Sequence, residues 1–119
     1  MTTTAVLRSV TPLIPAGESL ADALEFFSTK LGFAITWQAD DMAGVRRGNV
    51  EFNLVTNSDL AWAHNASFGI GVDNLDALYD EYKEVTARVG ALEMKYWGRR
   101  EFHMILPSGV CFQFYQINV

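Results

Sequence analysis

The side chains able to do chemistry in this sequence are few and widely spaced: two histidines, His64 and His103, and a single cysteine, Cys111. A catalytic metal centre needs about three His or carboxylate ligands converging around an open coordination position. Neither histidine has a second imidazole two or four residues away, and Glu51 is the lone carboxylate of its strand-like run. Cys111 has no His whose proximity follows from the sequence, so no nucleophile and base pair is defined, and its apolar surroundings make it a buried or half-buried group. The densest cluster is Tyr96-Trp97-Gly98-Arg99-Arg100-Glu101, at the mouth of a hairpin closed by Pro107-Ser108-Gly109. Two readings suit it: a metal centre approached across a strand pair, or an aromatic cleft with charges at its rim that holds a ligand unchanged. The scarcity of metal ligands favours the second.

The elements that must position these residues follow one plan twice. Leu20, Leu24, Phe27 and Leu31 recur at helical spacing, with Ser19 and Asp22 as a capping pair and Gly32 as the stop. Leu75, Leu78, Tyr82, Val85 and Val89 repeat the pattern between Asp73-Asn74 and Gly90. An extended run precedes each helix, Val6 to Ile14 and Ser67 to Val72. Three strand-like runs follow each: Phe33 to Gln38, Met42 to Arg47 and Val50 to Val55, then Ala91 to Tyr96, Arg100 to Leu106 and Val110 to Gln116. Val50, Phe52 and Leu54 align with Val110, Phe112 and Phe114 as the face packed under a helix, leaving Glu51, Asn53 and Val55, and Cys111, Gln113 and Tyr115, on the opposite face. The expectation is an α+β fold of two βαβββ modules, about 5–56 and 66–117, joined by a linker over 57–65 within a single domain, 1–119.

The bulk properties bound the function. A chain of 119 residues with 50% hydrophobic and 19% charged residues can bury a core without disulfides. Nine Lys plus Arg against fourteen Asp plus Glu give a net charge of -5, which disfavours nucleic acid as a partner. No apolar run approaches the roughly 18 residues of a membrane span, and no signal-peptide pattern opens the chain, so a cytoplasmic location with no membrane partner is expected.

The paired βαβββ pattern, Leu31-Gly32-Phe33 after the first helix, Ala43-Gly44-Val45 in the third strand and Trp97-Gly98-Arg99-Arg100-Glu101-Phe102 before the last hairpin resemble the vicinal oxygen chelate superfamily. Within it the sequence is most similar to the bleomycin resistance proteins, over roughly Leu7 to Tyr115. The resemblance implies curved mixed sheets with helices on the convex side, a homodimer and a small-molecule ligand. Metal-dependent relatives carry His and Glu at positions matched here by Thr11, Asn53, Ser67 and Gln113, none a strong ligand, so no cofactor and no metal are expected. The alternative is a metal-dependent lyase or dioxygenase using Glu51, Gln113 and a histidine, or a binder of another small hydrophobic molecule.

The ligand implied by the resemblance is flat and cationic, and it calls for aromatic faces, nearby carboxylates and an apolar floor. Trp37, Asp40, Asp41, Met42 and Val45 meet that description in one hairpin, with Met42 standing where relatives carry an aromatic ring. Glu51, Asn53, Gln113 and Tyr115 belong to the ligand-facing sheet surface. Gly69 and Gly71 stand where relatives carry large side chains and should leave that surface open. Trp97 either plugs the sheet end or touches ligand, and Arg99 is a candidate contact beside it. Asp40-Asp41 also reads as a solvated turn. Arg46 and Arg47 point to opposite faces, so at most one lines a cleft. Pro12 could act as a hinge for exchange of an N-terminal arm between subunits.

Overall fold

In the computed structural model, which describes residues 3–86 and 88–117, the chain forms two four-stranded mixed sheets. Strands β1 (Leu13–Pro15), β2 (Ala34–Gln38), β3 (Met42–Arg47) and β4 (Val50–Val55) lie in the order β1-β4-β3-β2. Strands β5 (Ser67–Val72), β6 (Glu93–Met94), β7 (Arg100–Ile105) and β8 (Cys111–Gln116) repeat that order as β5-β8-β7-β6. In both sheets the first strand pairs parallel with the last, and the other pairs are antiparallel. The double βαβββ plan read from the sequence is therefore the architecture. Met1, Thr2, Asn118 and Val119, which the single-domain expectation includes, and Ala87, which the second helix was expected to include, lie outside the described residues.

The first helix starts where its cap predicts, with Asp22 N–H donating to Ser19 Oγ at 3.1 Å. Helix α1 (Leu20–Glu25) then widens into π-helical turns over Phe26–Lys30, where Leu31 N–H reaches back to the Phe26 carbonyl, and Gly32 at φ +76° ends it. Helix α3 (Leu75–Tyr82) is shorter than the periodicity predicts. The residues after it are committed elsewhere: Ile105 N–H bonds the Arg88 carbonyl and Gly90 N–H bonds the His103 carbonyl. Those bonds occupy the free edge of β7, so the expected strand Ala91 to Tyr96 is cut to Glu93–Met94 opposite Glu101 and Arg100. Likewise the expected strand from Val6 is only Leu13–Pro15, bounded by Pro12, whose carbonyl still accepts from Asn53 N–H. The linker is not plain coil, because Asp59 caps a short helix α2 (Leu60–Asn65) inside it.

One face of each sheet is covered by a helix and forms the core. Phe52 and Phe112, the matched residues of β4 and β8, stack at 4.9 Å and 21° between planes, joining the two modules. Phe27, Phe68 and Phe114 meet Phe112 edge-on. A second link is polar. From the helix-covered side of β3, Arg47 donates to the Leu31 carbonyl at 2.9 Å, to Tyr82 Oη at 2.9 Å and to both Glu81 oxygens at 2.6 and 3.0 Å. The Glu81 hydrogen bond holds the guanidinium firmly charged, while burial raises the Tyr82 hydroxyl and Arg47 opposes that rise. With the helices on one side, the other face of each sheet is left uncovered by its own module.

Candidate ligand-binding faces

On the open face of the first sheet, strand alternation sets Met42, Gly44, Glu51 and Asn53 outward, with Leu13 beside Asn53 on the edge strand. A bulge between Ile35 and Trp37 puts Thr36 and Trp37 on the same side, and the Trp37 indole lies across Gly44. A Cβ at Gly44 would collide with the indole, so the glycine is what lets Trp37 lie flat on the sheet while staying 43% exposed. Glu51 is engaged by Thr11 Oγ1 at 3.4 Å and by Arg46 at 3.7 Å. Asp40 and Asp41 form the exposed β2–β3 turn at the end of this face. Val45 does not belong here: it pairs with Phe52, points into the core and is fully buried, so it cannot meet a ligand on the open face.

The open face of the second sheet is organised around Glu101, which is charged and fully buried. The residues two positions to either side share its face, Arg99 just ahead of β7 and His103 on it. Arg99 Nε donates to Oε2 at 2.6 Å and His103 Nε2 bonds Oε1 at 2.7 Å. Burial alone would raise the Glu101 carboxyl, but the bonds from His103 and then Arg99, with Trp97 adding a weaker one, outweigh it and hold the group below its ordinary value. An ionised Oε1 can only accept, so the proton of that hydrogen bond sits on His103 Nε2. Trp97 lies nearly parallel to the His103 ring at 6.5 Å and 18°, and Tyr96, 95% exposed, meets Trp97 edge-on at 4.7 Å. Gly98 at φ +87° makes the tight turn that presents both rings. Arg100, on the other face, bonds Asp76 of α3 at 2.7 Å.

The rest of this face is built by β5 and β8. Gln113 Nε2 donates to Ser67 Oγ at 2.9 Å, so these two polar side chains satisfy each other. The Arg99 guanidinium sits 4.0 Å from the centre of the Tyr115 ring. The openness expected of Gly69 and Gly71 is only partial. Ile117 fills the space over Gly71, whereas Gly69 is exposed and a Cβ there would make only ordinary contact with Tyr115 at 3.4 Å. Cys111 is half-buried and burial pushes its thiol up, which suits an apolar filler rather than a nucleophile. A shallow groove of about 210 Å³, lined by Val10, Pro12, Glu51, Gly69 and Gly71 among others, runs between the two sheets.

The structure thus puts Trp37, Met42, Glu51 and Asn53 on one open face, Gly69, Gly71, Trp97, Arg99, Gln113 and Tyr115 on the other, and Asp40 and Asp41 at a rim. Sequence reasoning missed Glu101 and His103 as the centre of the second face. The signal was present in the parity of Arg99, Glu101 and His103, which puts all three on one side of a strand. Among the described residues no three His, Cys, Asp or Glu side chains are gathered as a metal ion would need, and no helix is long and apolar enough to cross a membrane.

Two mixed βαβββ sheets with helices on one side and grooved open faces on the other define a paired-module, ligand-holding fold class. Residues 16–114 match the profile of the Glyoxalase/Bleomycin resistance protein/Dioxygenase superfamily, and the chain belongs to that family. It is 26% identical over 130 residues to bleomycin resistance proteins of Geobacillus stearothermophilus and Staphylococcus aureus, across 93% of this chain and 97% of theirs. Its fold matches the bleomycin-binding protein of bleomycin-producing Streptomyces verticillus, solved with copper(II)-bleomycin, at a TM-score of 0.84 with 24% identity, over 97% of this chain and all of that one. The bleomycin resistance determinant encoded on the transposon Tn5 aligns at a TM-score of 0.82 and 22% identity, over 95% of this chain and 100% of its own.

Proposed function

We propose that this protein sequesters a flat, cationic molecule of the bleomycin class and does no chemistry on it, holding it in clefts between the open sheet faces of two copies. The observation that carries this reading is the neutral chemistry of the four residues that the family resemblance matches to ligand positions of metal-dependent enzymes, together with the lack, among the described residues, of any gathered set of three His, Cys, Asp or Glu side chains. The four are Thr11, Asn53, Ser67 and Gln113, with Gln113 bonded to Ser67 and Thr11 to Glu51. The exposed surfaces around them are instead aromatic. Trp37 and Trp97 offer faces for stacking, each contact worth about 1 kcal/mol and more when desolvated. Asp40, Asp41 and Glu51 supply negative charge for a cationic tail, with Met42 and Asn53 between them. The bleomycin resistance relatives support the choice of ligand class.

The expected measurement is a saturable change in tryptophan fluorescence on titrating metal-free and copper-loaded bleomycin, with the drug recovered unmodified by mass spectrometry. A flat titration for both forms would remove the antibiotic assignment, and recovery of an altered drug would restore an enzymatic one.

Dimerisation is part of the same proposal. The segment before Pro12 leaves the body of the protein with Val6 69%, Leu7 100% and Val10 81% exposed. A compact chain of this length has a radius of gyration of about 13–14 Å, against 15.4 Å here. Apolar residues held out in this way are stabilised when a second copy covers them. Light scattering at micromolar concentration is expected to give twice the chain mass; a monomer mass would overturn the two-copy cleft.

A further inference from the structure

The Arg99 guanidinium is held more tightly than a contact at a solvated rim requires, and its free donors face outward. Nε is consumed by Glu101 and one face of the group rests on Tyr115. Among the described residues no acceptor meets Nη1 or Nη2, and the side chain is 38% exposed. The glycine at 69 keeps the neighbouring sheet surface clear, since the space its Cβ would take lies 3.9 Å from Nη2. Glu101 cannot serve as a counter-charge for a ligand, because it is fully buried and both its oxygens are taken. Of the other charges on this side, Lys95 and Glu93 neutralise each other at 2.8 Å. The spare interaction capacity on the second face is therefore the donor edge of an arginine, which pairs in plane with a carboxylate.

We propose that Arg99, fixed by Glu101 against the Tyr115 ring, anchors a carboxylate carried on a flat ring, with the ring itself lying toward Trp97. This inference rests on the reading of the open faces as the binding surface and deepens it. The first face, with Asp40, Asp41 and Glu51 against Arg46, selects positive charge. The second selects an oxyanion. The molecule that fills both is amphoteric rather than simply cationic.

The test uses three probes with one ring system: 2-naphthoate, neutral 2-naphthamide and 2-naphthylmethylammonium, each titrated calorimetrically into the full chain. Naphthoate is expected to bind more tightly than the neutral amide by roughly tenfold or more, as a charge-assisted hydrogen bond predicts, while the ammonium probe reports on the first face and is unaffected by changes at Arg99. Arg99→Gln is expected to erase that preference. Arg99→Lys keeps the charge and the Glu101 pair but loses the planar fork, and is expected to keep only part of it. If Arg99→Gln shows no cooperative melt by circular dichroism, Arg99→Lys alone carries the comparison. Equal binding of naphthoate and naphthamide, or an unchanged preference in Arg99→Lys and in any folded Arg99→Gln, overturns the inference. So does a loss of dimer mass in either variant without probe binding to the wild type, because the donor edge then serves a partner subunit. Bleomycin titrated in parallel separates the two claims: binding of bleomycin without naphthoate preference leaves the sequestration reading standing alone, and the reverse result leaves this inference standing alone.

Discussion

Phe112→Ala is expected to lower the stability of the protein by about 3–5 kcal/mol, the cost of removing a large buried ring and leaving a cavity. Phe112 is fully buried and its ring meets four others: Phe27 and Phe68 edge-on, Phe114 edge-on, and Phe52 in a stack at 4.9 Å. Two of those partners, Phe27 and Phe52, come from the first module and two from the second. The ring is thus the place where the repeated halves share one core, and its loss weakens both sheets together. Urea unfolding followed by far-ultraviolet circular dichroism checks this, with Phe68→Ala as the comparison. Phe68 is only partly buried and is expected to cost less. A midpoint for Phe112→Ala close to that of the wild type would mean that the modules are stable apart, contrary to the shared core described above.

The repeat was legible because it is written in local signals. Helix caps at Ser19 and Asn74, the glycine at position 32 and the alternation of Val50, Phe52 and Leu54 against Val110, Phe112 and Phe114 each report on a few neighbouring residues. What was not legible depended on competition between distant segments. The edge of β7 is claimed by Arg88 and Gly90, which shortens both the helix before them and the strand after them, and nothing in the local pattern of Val85 and Val89 announces it. The site shows the same division. Strand parity separates Arg46 from Arg47 correctly, and it could have set Val45 on the core side with Phe52, where the structure has it. Parity cannot say that Glu101 is fully buried, because that depends on Trp97 and Arg99 folding over it from a turn. Nor can it say that Ile117 returns to cover Gly71. Open surface inferred from a glycine is only as open as the side chains of other segments allow.

Replacing Glu101 tests whether its burial is tied to its charge. Removing one partner of a buried ion pair costs about 3–5 kcal/mol when all partners are inside. Here Arg99 and His103 are 38% and 31% exposed, so solvent takes part of the loss and about 2–3 kcal/mol is expected for Glu101→Gln. The amide keeps the shape but has one neutral acceptor oxygen where the carboxylate had two charged ones, so the charge-assisted bond from Arg99 is weakened and only one of the two original bonds can be kept as it was. The pH dependence carries the sign. The folded carboxyl lies below its ordinary value, so in the acid range the unfolded state binds more protons than the folded one. Stability from Glu101 is therefore fully present above the unfolded value of about 4.3, and it drains away as pH falls through the lower folded value. The gap between wild type and Glu101→Gln in urea midpoint is expected to be constant from neutral pH down to about 5 and to narrow steadily below about 4. Asp76 and Glu93 are also held low, by Arg100 and Lys95, but both proteins share them and they cancel in the difference. A gap that widens on acidification would mean that Glu101 is buried as the neutral acid. Arg99 would then have no counter-charge within the sheet, and the orientation of its donor edge would need another cause.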